Sequence, residues 1–169
     1  ADMNALSFPR KLSAGTNIAP SGSVEQSSTQ NTSYDAGKAV DGIKTDETNF
    51  THTQSEFQPW WKVTFNSPIS IGTVVFYNRL SACCYDRSRD LIVEVLMDGI
   101  SVKKIQFDGI PTIADSGEPF EFHGVIGNEV KLSLPSEIGT KDILNFREVE
   151  IFEYVPSSSP SDVPSSSPT

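Results

Sequence analysis

Trp60-Trp-Lys-Val-Thr-Phe-Asn-Ser-Pro-Ile-Ser-Ile-Gly-Thr-Val-Val-Phe-Tyr77 is the stretch whose reading decides the fold. In its first half Trp61, Val63 and Phe65 alternate with Lys62 and Thr64. Successive side chains of a strand point to opposite faces, so this pattern buries one face and wets the other. Its second half, Ile71 to Tyr77, is β-branched and aromatic, which favours a strand again. Working outward, Leu91 to Leu96 is an apolar run broken by Glu94. It reaches a turn at Asp98-Gly99, and Val102 to Phe107 follows, ending at Asp108-Gly109. Phe120 to Phe122, Val130 to Leu134 and Val149 to Tyr154 read likewise. Short strands with Asp-Gly and Asn/Ser/Pro punctuation predict a β-sandwich or barrel. No segment holds a period of about 3.6 long enough for a full helix, so helices are expected to be short or absent.

The chain has 169 residues, enough for one domain with tails and too few for two full ones. Residues 1–14 are expected to be an N-terminal extension and 15–155 the folded domain. Residues 156–169 are expected to be a Ser/Pro linker to a further module of a longer chain. The unit Val-Pro-Ser-Ser-Ser-Pro occurs twice there, without apolar periodicity. The net charge of −9 disfavours phosphate backbones, so nucleic acid is not an expected partner. The same carboxylates suit an oxygen-ligated cation such as calcium. No apolar run approaches the roughly 20 residues a membrane span needs, so no membrane insertion is expected. Sequons at Asn31-Thr32-Ser33 and Asn49-Phe50-Thr51 hint at a secretory route.

The only cysteines, Cys83 and Cys84, are adjacent, which excludes a CxxC metal site. They are either two free thiols or, in an oxidising compartment, a vicinal disulfide. A trans peptide holds neighbouring Cα atoms about 3.8 Å apart, below the usual disulfide range of roughly 4.4–6.8 Å. Such a ring is rigid and presents a small apolar plate. Around it Arg79, Tyr85 and Arg87 occupy a loop at the end of the Ile71–Tyr77 strand, where sandwiches bind ligands. Guanidinium forks suit neighbouring sugar hydroxyls and an apolar plate suits a methyl or C–H face. Together they describe a deoxy-sugar pocket. The competing reading pairs the arginines with Asp86 or Asp90. His123 reads as structural, Trp60 and Trp61 as core, and Glu118 and Glu121 as a solvated edge. Nothing pairs a nucleophile with a base, so an enzyme is not expected.

Several motifs resemble the F-type lectins, or fucolectins, within the discoidin-like sandwiches. Asn17-Ile-Ala-Pro-Ser-Gly-Ser-Val-Glu-Gln-Ser-Ser-Thr29 resembles their first strand, and Lys38-Ala-Val-Asp41-Gly42 their shared A-x-D-G loop. Thr51-His52-Thr53, Pro59-Trp60-Trp61-Lys62-Val63, Asn78-Arg79 and Cys83-Cys84 resemble the fucolectins specifically. The 26 residues between His52 and Arg79 match the family's spacing, and Glu148-Val-Glu150-Ile-Phe its closing strand.

The resemblance implies an all-β, jelly-roll, antiparallel sandwich that is secreted or displayed at the cell surface. It implies binding of terminal α-L-fucose on glycans and glycoproteins, gripped by His52, Arg79 and Arg87. A Cys83–Cys84 disulfide would pack on the sugar, with Tyr85 nearby. It also implies a structural Ca2+ held by the side chains of Asp41 and Glu148 and by carbonyls around Lys38, Ile43 and Asn49.

This chain departs from the family pattern in two places. Ser81 stands where the family has aspartate, and one extra residue separates the two arginines, so Arg89 is a fallback for Arg87. Phe50 and the Phe146-Arg147 region replace a second disulfide, leaving an apolar contact or nothing there. In the chain-entropy model that loss forgoes about 4–5 kcal/mol. Two rival readings use the same fold. One is an adhesion module for another glycan, a protein or a lipid headgroup. The other is an accessory module of a carbohydrate-active enzyme.

Overall fold

The computed structural model describes residues 15–157. The expected N-terminal extension and residues 158–169 of the expected linker lie outside them. The described chain is an antiparallel discoidin-like β-sandwich. Its strands are β1 (Ser23–Gln26), β2 (Thr51–His52), β3 (Trp60–Asn78), β4 (Ile92–Met97), β5 (Ile100–Gln106), β6 (Glu118–Ser133) and β7 (Asn145–Glu153). Between them lie only short 3-10 turns, among them Ala36–Val40 and Tyr85–Ser88.

The runs expected as separate strands at 61–65 and 71–77 are one strand of 19 residues. The run at 120–122 likewise joins the one at 130–134 in a strand of 16 residues. Each passes through both layers. The first part of β3 pairs with β1 and with the end of β6, which in turn pairs with β4. β5 closes that layer against β4. The second part of β3 pairs with the start of β6 and with β7, and β7 carries β2. The Asn66-Ser67-Pro68 signal does not end the strand; it shifts the register between Thr64 and Ile69. There β3 bends from one layer to the other, as bulges commonly allow. At a second shift, a Cβ on Gly72 would stand 2.9 Å from the backbone of Tyr154, an approach open only to glycine.

The alternation works as expected where one face is wet. Trp61, Val63 and Phe65 face a core with Val93, Val95, Val130 and Leu132, and with Phe76, Phe122 and Phe146 across the layers. Each large side chain so buried is worth about 1.5–3 kcal/mol. Trp61 also donates its indole N–H to the Ala36 carbonyl at 3.0 Å, so its one polar atom is satisfied. Trp60 corrects the expected core pair. As the next residue along a strand it faces outward, half-buried, with the Lys62 and Lys131 amines each 5.8 Å from its ring centre. His123 lies within β6 but is exposed, at φ 55°, the left-handed geometry of a bulge. Glu118 accepts the Thr112 N–H and Glu121 the Thr73 hydroxyl, each at 2.9 Å, so both carboxylates hold structure at the strand start.

From Val74 to Asn78 every side chain of β3 is buried, because loops cover its outer face as well. Arg147, fully buried on β7, ties those loops down. It donates to the carbonyls of Asn78 at 2.6 Å and Ile113 at 3.3 Å, to the Lys44 carbonyl, and to the Asp115 carboxylate at 3.3 Å.

Candidate sugar-binding site

Asn78 ends β3 and organises the loop that follows. Its side chain is fully buried and makes four hydrogen bonds. The amide donates to the carbonyls of Tyr85 at 2.9 Å and Pro111 at 3.1 Å. Its oxygen accepts the Arg79 N–H at 2.8 Å and the Ser88 hydroxyl at 3.0 Å. Every donor and acceptor of the amide is used, which fixes both ends of the loop carrying Arg79 and Arg87.

Within that loop Cys83 and Cys84 form a vicinal disulfide. The free-thiol alternative is thereby excluded. Cys84 is buried and Cys83 faces solvent. Ser81, in the aspartate's place, accepts the backbone N–H groups of Cys84 and Tyr85 on its carbonyl, and its hydroxyl lies 3.1 Å from Cys83 Sγ. The lengthened segment is taken up in a 3-10 turn, Tyr85–Ser88, which leaves Tyr85 exposed and turns Arg87 toward β2.

There His52, half-buried at the end of β2, meets it: Arg87 Nη1 lies 3.3 Å from His52 Nε2. His52 Nδ1 lies 2.6 Å from the Thr53 carbonyl. A carbonyl can only accept, so Nδ1 carries the proton and Nε2 presents its lone pair. Burial, followed by the charges of Arg87 and Arg79, lowers the His52 pKa and keeps the ring neutral, although the Thr53 contact opposes this. Arg79 lies flat on Phe50, its Cζ 3.7 Å from the ring centre, and Phe50 stacks in turn on Tyr34 at 4.6 Å. Burial and, secondarily, Arg87 lower the Arg79 pKa. Among the described residues neither arginine forms an ion pair, so the pairing with Asp86 or Asp90 does not occur. Arg87 and Arg89 both line a neighbouring groove with Asp90 and Glu137, but only Arg87 is in hydrogen-bond contact with His52. Of the two candidates for the second arginine, the geometry brings Arg87 to His52.

Phe50 fills the place of the expected second bridge with an aromatic stack. Phe146 does not meet it; its ring packs on Trp61 and Phe76. Tyr34, Asn78 and Arg147 were not singled out as supports from sequence. Asn78 was legible only as a neighbour of Arg79, and the partners of Arg147 are tens of residues distant.

On the same edge Glu148, fully buried on β7, accepts the Gly42 N–H at 3.0 Å on Oε1, while Oε2 has no partner. Asp41 accepts the Ile43 N–H at 3.0 Å and both its oxygens meet the Asn49 amide, at 3.2 and 2.9 Å. Burial first, then the charges of Asp41 and Glu150, push the Glu148 pKa up to about 8. Lys38 lies in the turn Ala36–Val40 that leads to Asp41. No cluster of three or more His, Cys, Asp or Glu side chains forms among the described residues. Among the described residues, three toward this end carry buried polar atoms without partners: Arg79 Nε, the Asn145 amide opposite His52, and Glu148 Oε2. Such groups cost about 1–3 kcal/mol each when nothing meets them.

A family model described as the NedA-like, galactose-binding domain of the F5/F8 type C group matches residues 38–132. The chain belongs to that family. Among solved structures, this F5/F8 type C-like domain is similar to the lectin domain of lectinolysin complexed with Lewis b antigen. That match has 28% identity and a TM-score of 0.73, covering 83% of this chain and 98% of the other. A Streptococcus pneumoniae fucose-binding module matches with 26% identity and a TM-score of 0.71, covering 83% and 97%. A fucolectin from striped bass (Morone saxatilis) serum shares the fold at 24% identity and a TM-score of 0.71. There the match covers 84% of this chain and 48% of the fucolectin. These likenesses support the F-type lectin resemblance within the discoidin-like sandwiches. No curated protein sequence matches the chain. No helix among the described residues is long and apolar enough to cross a membrane.

Proposed function

We propose that this domain is a non-catalytic lectin module that binds terminal α-L-fucose. The observation that carries the reading is the meeting of a neutral His52 and two arginines without carboxylate partners, in the loop that holds the vicinal disulfide. Two arginines alone would suit any anion. Arg87 Nη1 meets the Nε2 lone pair of His52 at 3.3 Å; a sugar hydroxyl can take the arginine's place there, donating to Nε2 while accepting from a guanidinium, which a deprotonated anion cannot do. Arg79 and Arg87 donate to ring and hydroxyl oxygens, and the exposed sulfur of Cys83 offers a plate for the C6 methyl. Two structural relatives, a fucose-binding module and a lectin domain complexed with Lewis b, support the same ligand class.

The donor set around Glu148 fits calcium, which is bound by mixed carboxylate, amide and carbonyl oxygens. In this reading Asp41 and Glu148 supply carboxylates, and Lys38, Ile43 and Asn49 supply carbonyls. The bound ion would neutralise the buried Glu148 and tie the 41–49 loop, which leads into His52, to β7. Its role is structural. The Asn49 amide is engaged by Asp41, so in this reading the Asn49 sequon stays unmodified. In this reading the module works outside the cell.

A glycan array probed with the oxidised protein in calcium buffer tests the specificity. Signals confined to fucose-terminated glycans are expected. Binding to other sugars would keep the fold and move the specificity, and no glycan signal would favour the adhesion-module reading.

A further inference from the structure

Phe57 leaves 50% of its surface open, yet the segment that carries it is pinned on both sides. Glu56 and Asp142 exchange both backbone hydrogen bonds, at 2.9 and 2.8 Å. The Glu56 carboxylate accepts the hydroxyls of Ser27 and Ser28 at 2.5 and 2.6 Å. Gln58, in the left-handed region at φ 49°, donates its N–H to the Ser136 hydroxyl at 2.9 Å. A non-glycine residue held there is strained, and an exposed phenyl ring leaves apolar surface in water. A rigid segment bearing both costs presents its ring ready-made.

Phe57 lines a groove of about 430 Å3 with Trp60, Lys104 and Lys131. Lys104 is only loosely paired, 4.0 Å from Glu94, and among the described residues Lys131 has no ion pair. This groove adjoins a second, of about 350 Å3, where Arg87 stands with Arg89, Glu137 and Asp142; Leu134 and Pro135 line both. The bridge between Glu56 and Asp142 holds the two grooves in register. A row of surfaces therefore leads from the His52–Arg87 contact, past Pro135, to the exposed ring of Phe57.

We propose that these grooves hold the sugar residues preceding the terminal fucose of a longer glycan, with one pyranose stacked on Phe57. The proposal rests on the fucose reading of the His52–Arg87 site. A pyranose has an apolar C–H face and a rim of hydroxyls. The Phe57 ring takes the face, and the flanking lysines, Arg89, Glu137 and Asp142 take the rim.

Calorimetric titrations with methyl α-L-fucoside, a fucose-capped linear pentasaccharide and the same oligosaccharide lacking fucose test this. The capped pentasaccharide is expected to bind about tenfold tighter than the fucoside, the scale of one aromatic stacking contact plus hydrogen bonds. Phe57→Ala removes most of that gain and leaves fucoside affinity and the thermal midpoint unchanged. Lys104→Ala, also at an exposed position, removes part of it. Equal affinities for the fucoside and the capped pentasaccharide overturn the proposal, as does a gain that survives both variants. If the fucoside fails to bind while the fucose-free oligosaccharide binds in a Phe57-dependent way, the fucose reading falls and the aromatic subsite stands. If neither binds, both fall.

Discussion

The Thr53 carbonyl accepts a hydrogen bond from the protonated Nδ1 of His52, and from that contact follows what the other ring nitrogen can do. Nε2 is an acceptor as long as the ring is neutral, and burial beside two arginines lowers the pKa from its ordinary 6.5. A lowered base pKa means the proton is gained only on stronger acidification. Fucose affinity is therefore expected to stay flat as pH falls from about 8 to about 6.5 and to decline only below that. Titrations across this range check it; a decline centred at or above pH 6.5 would contradict the neutral-acceptor role. The His52 to Arg79 spacing was legible only as a family resemblance, because the pairings that bring the two strand ends together, β2 and β3 each on β7, are long-range. The choice between Arg87 and Arg89 was not. It depends on how one inserted residue is absorbed in the Tyr85–Ser88 turn. The role of Phe50 as a bed for Arg79 was also hidden, since a residue filling a lost cysteine's place announces nothing about its new partner.

At the scale of elements, the loop between β3 and β4 depends on Asn78 for its shape and on the disulfide for its surface. A bridge between neighbouring residues closes almost no chain, so it restrains the unfolded ensemble far less than a long-range bridge. The double variant Cys83→Ser, Cys84→Ser is accordingly expected to keep its thermal midpoint within a few degrees while losing most fucose binding. Calorimetry of folding and of binding on the same sample separates the two effects. A large drop in the midpoint with binding retained would show the bridge to be structural. Strand positions were largely readable from alternation and turn signals, as Trp61, Val63 and Phe65 show. Strand continuity was not. Asn66-Ser67-Pro68 looks like a break, and only the pairing of β3 with β6 on both sides turns it into a bend.

For the whole molecule, Arg147 joins the 41–49 loop, the sugar loop and the 111–115 loop through one buried guanidinium, standing where the sequence resemblance expected a disulfide region. Its partners lie 69 and 103 residues away, beyond any local pattern. With the proposed calcium, the acidic edge beside it is expected to make stability depend on pH and cation together. The Glu148 pKa is raised from 4.5 to about 8. A carboxyl whose folded pKa is raised contributes stability that is fully present below 4.5 and is lost as pH rises through about 8. Calcium-free protein should therefore lose thermal stability across that window. Added calcium, which favours the ionised carboxyl, should restore more at pH 8 than at pH 5. Scanning calorimetry with chelator and with calcium measures this; a midpoint insensitive to chelation at pH 8 would count against a structural ion.

The central claim is that Arg79 and its neighbours serve a fucose and not the core. Its most direct test is a titration of methyl α-L-fucoside into the wild-type domain and into Arg79→Ala, with thermal melts of both. Loss of binding in the variant is expected, with a stability change no larger than the cation–π contact on Phe50, about 0.5–1 kcal/mol. Wild-type-like fucose binding by Arg79→Ala would contradict the claim.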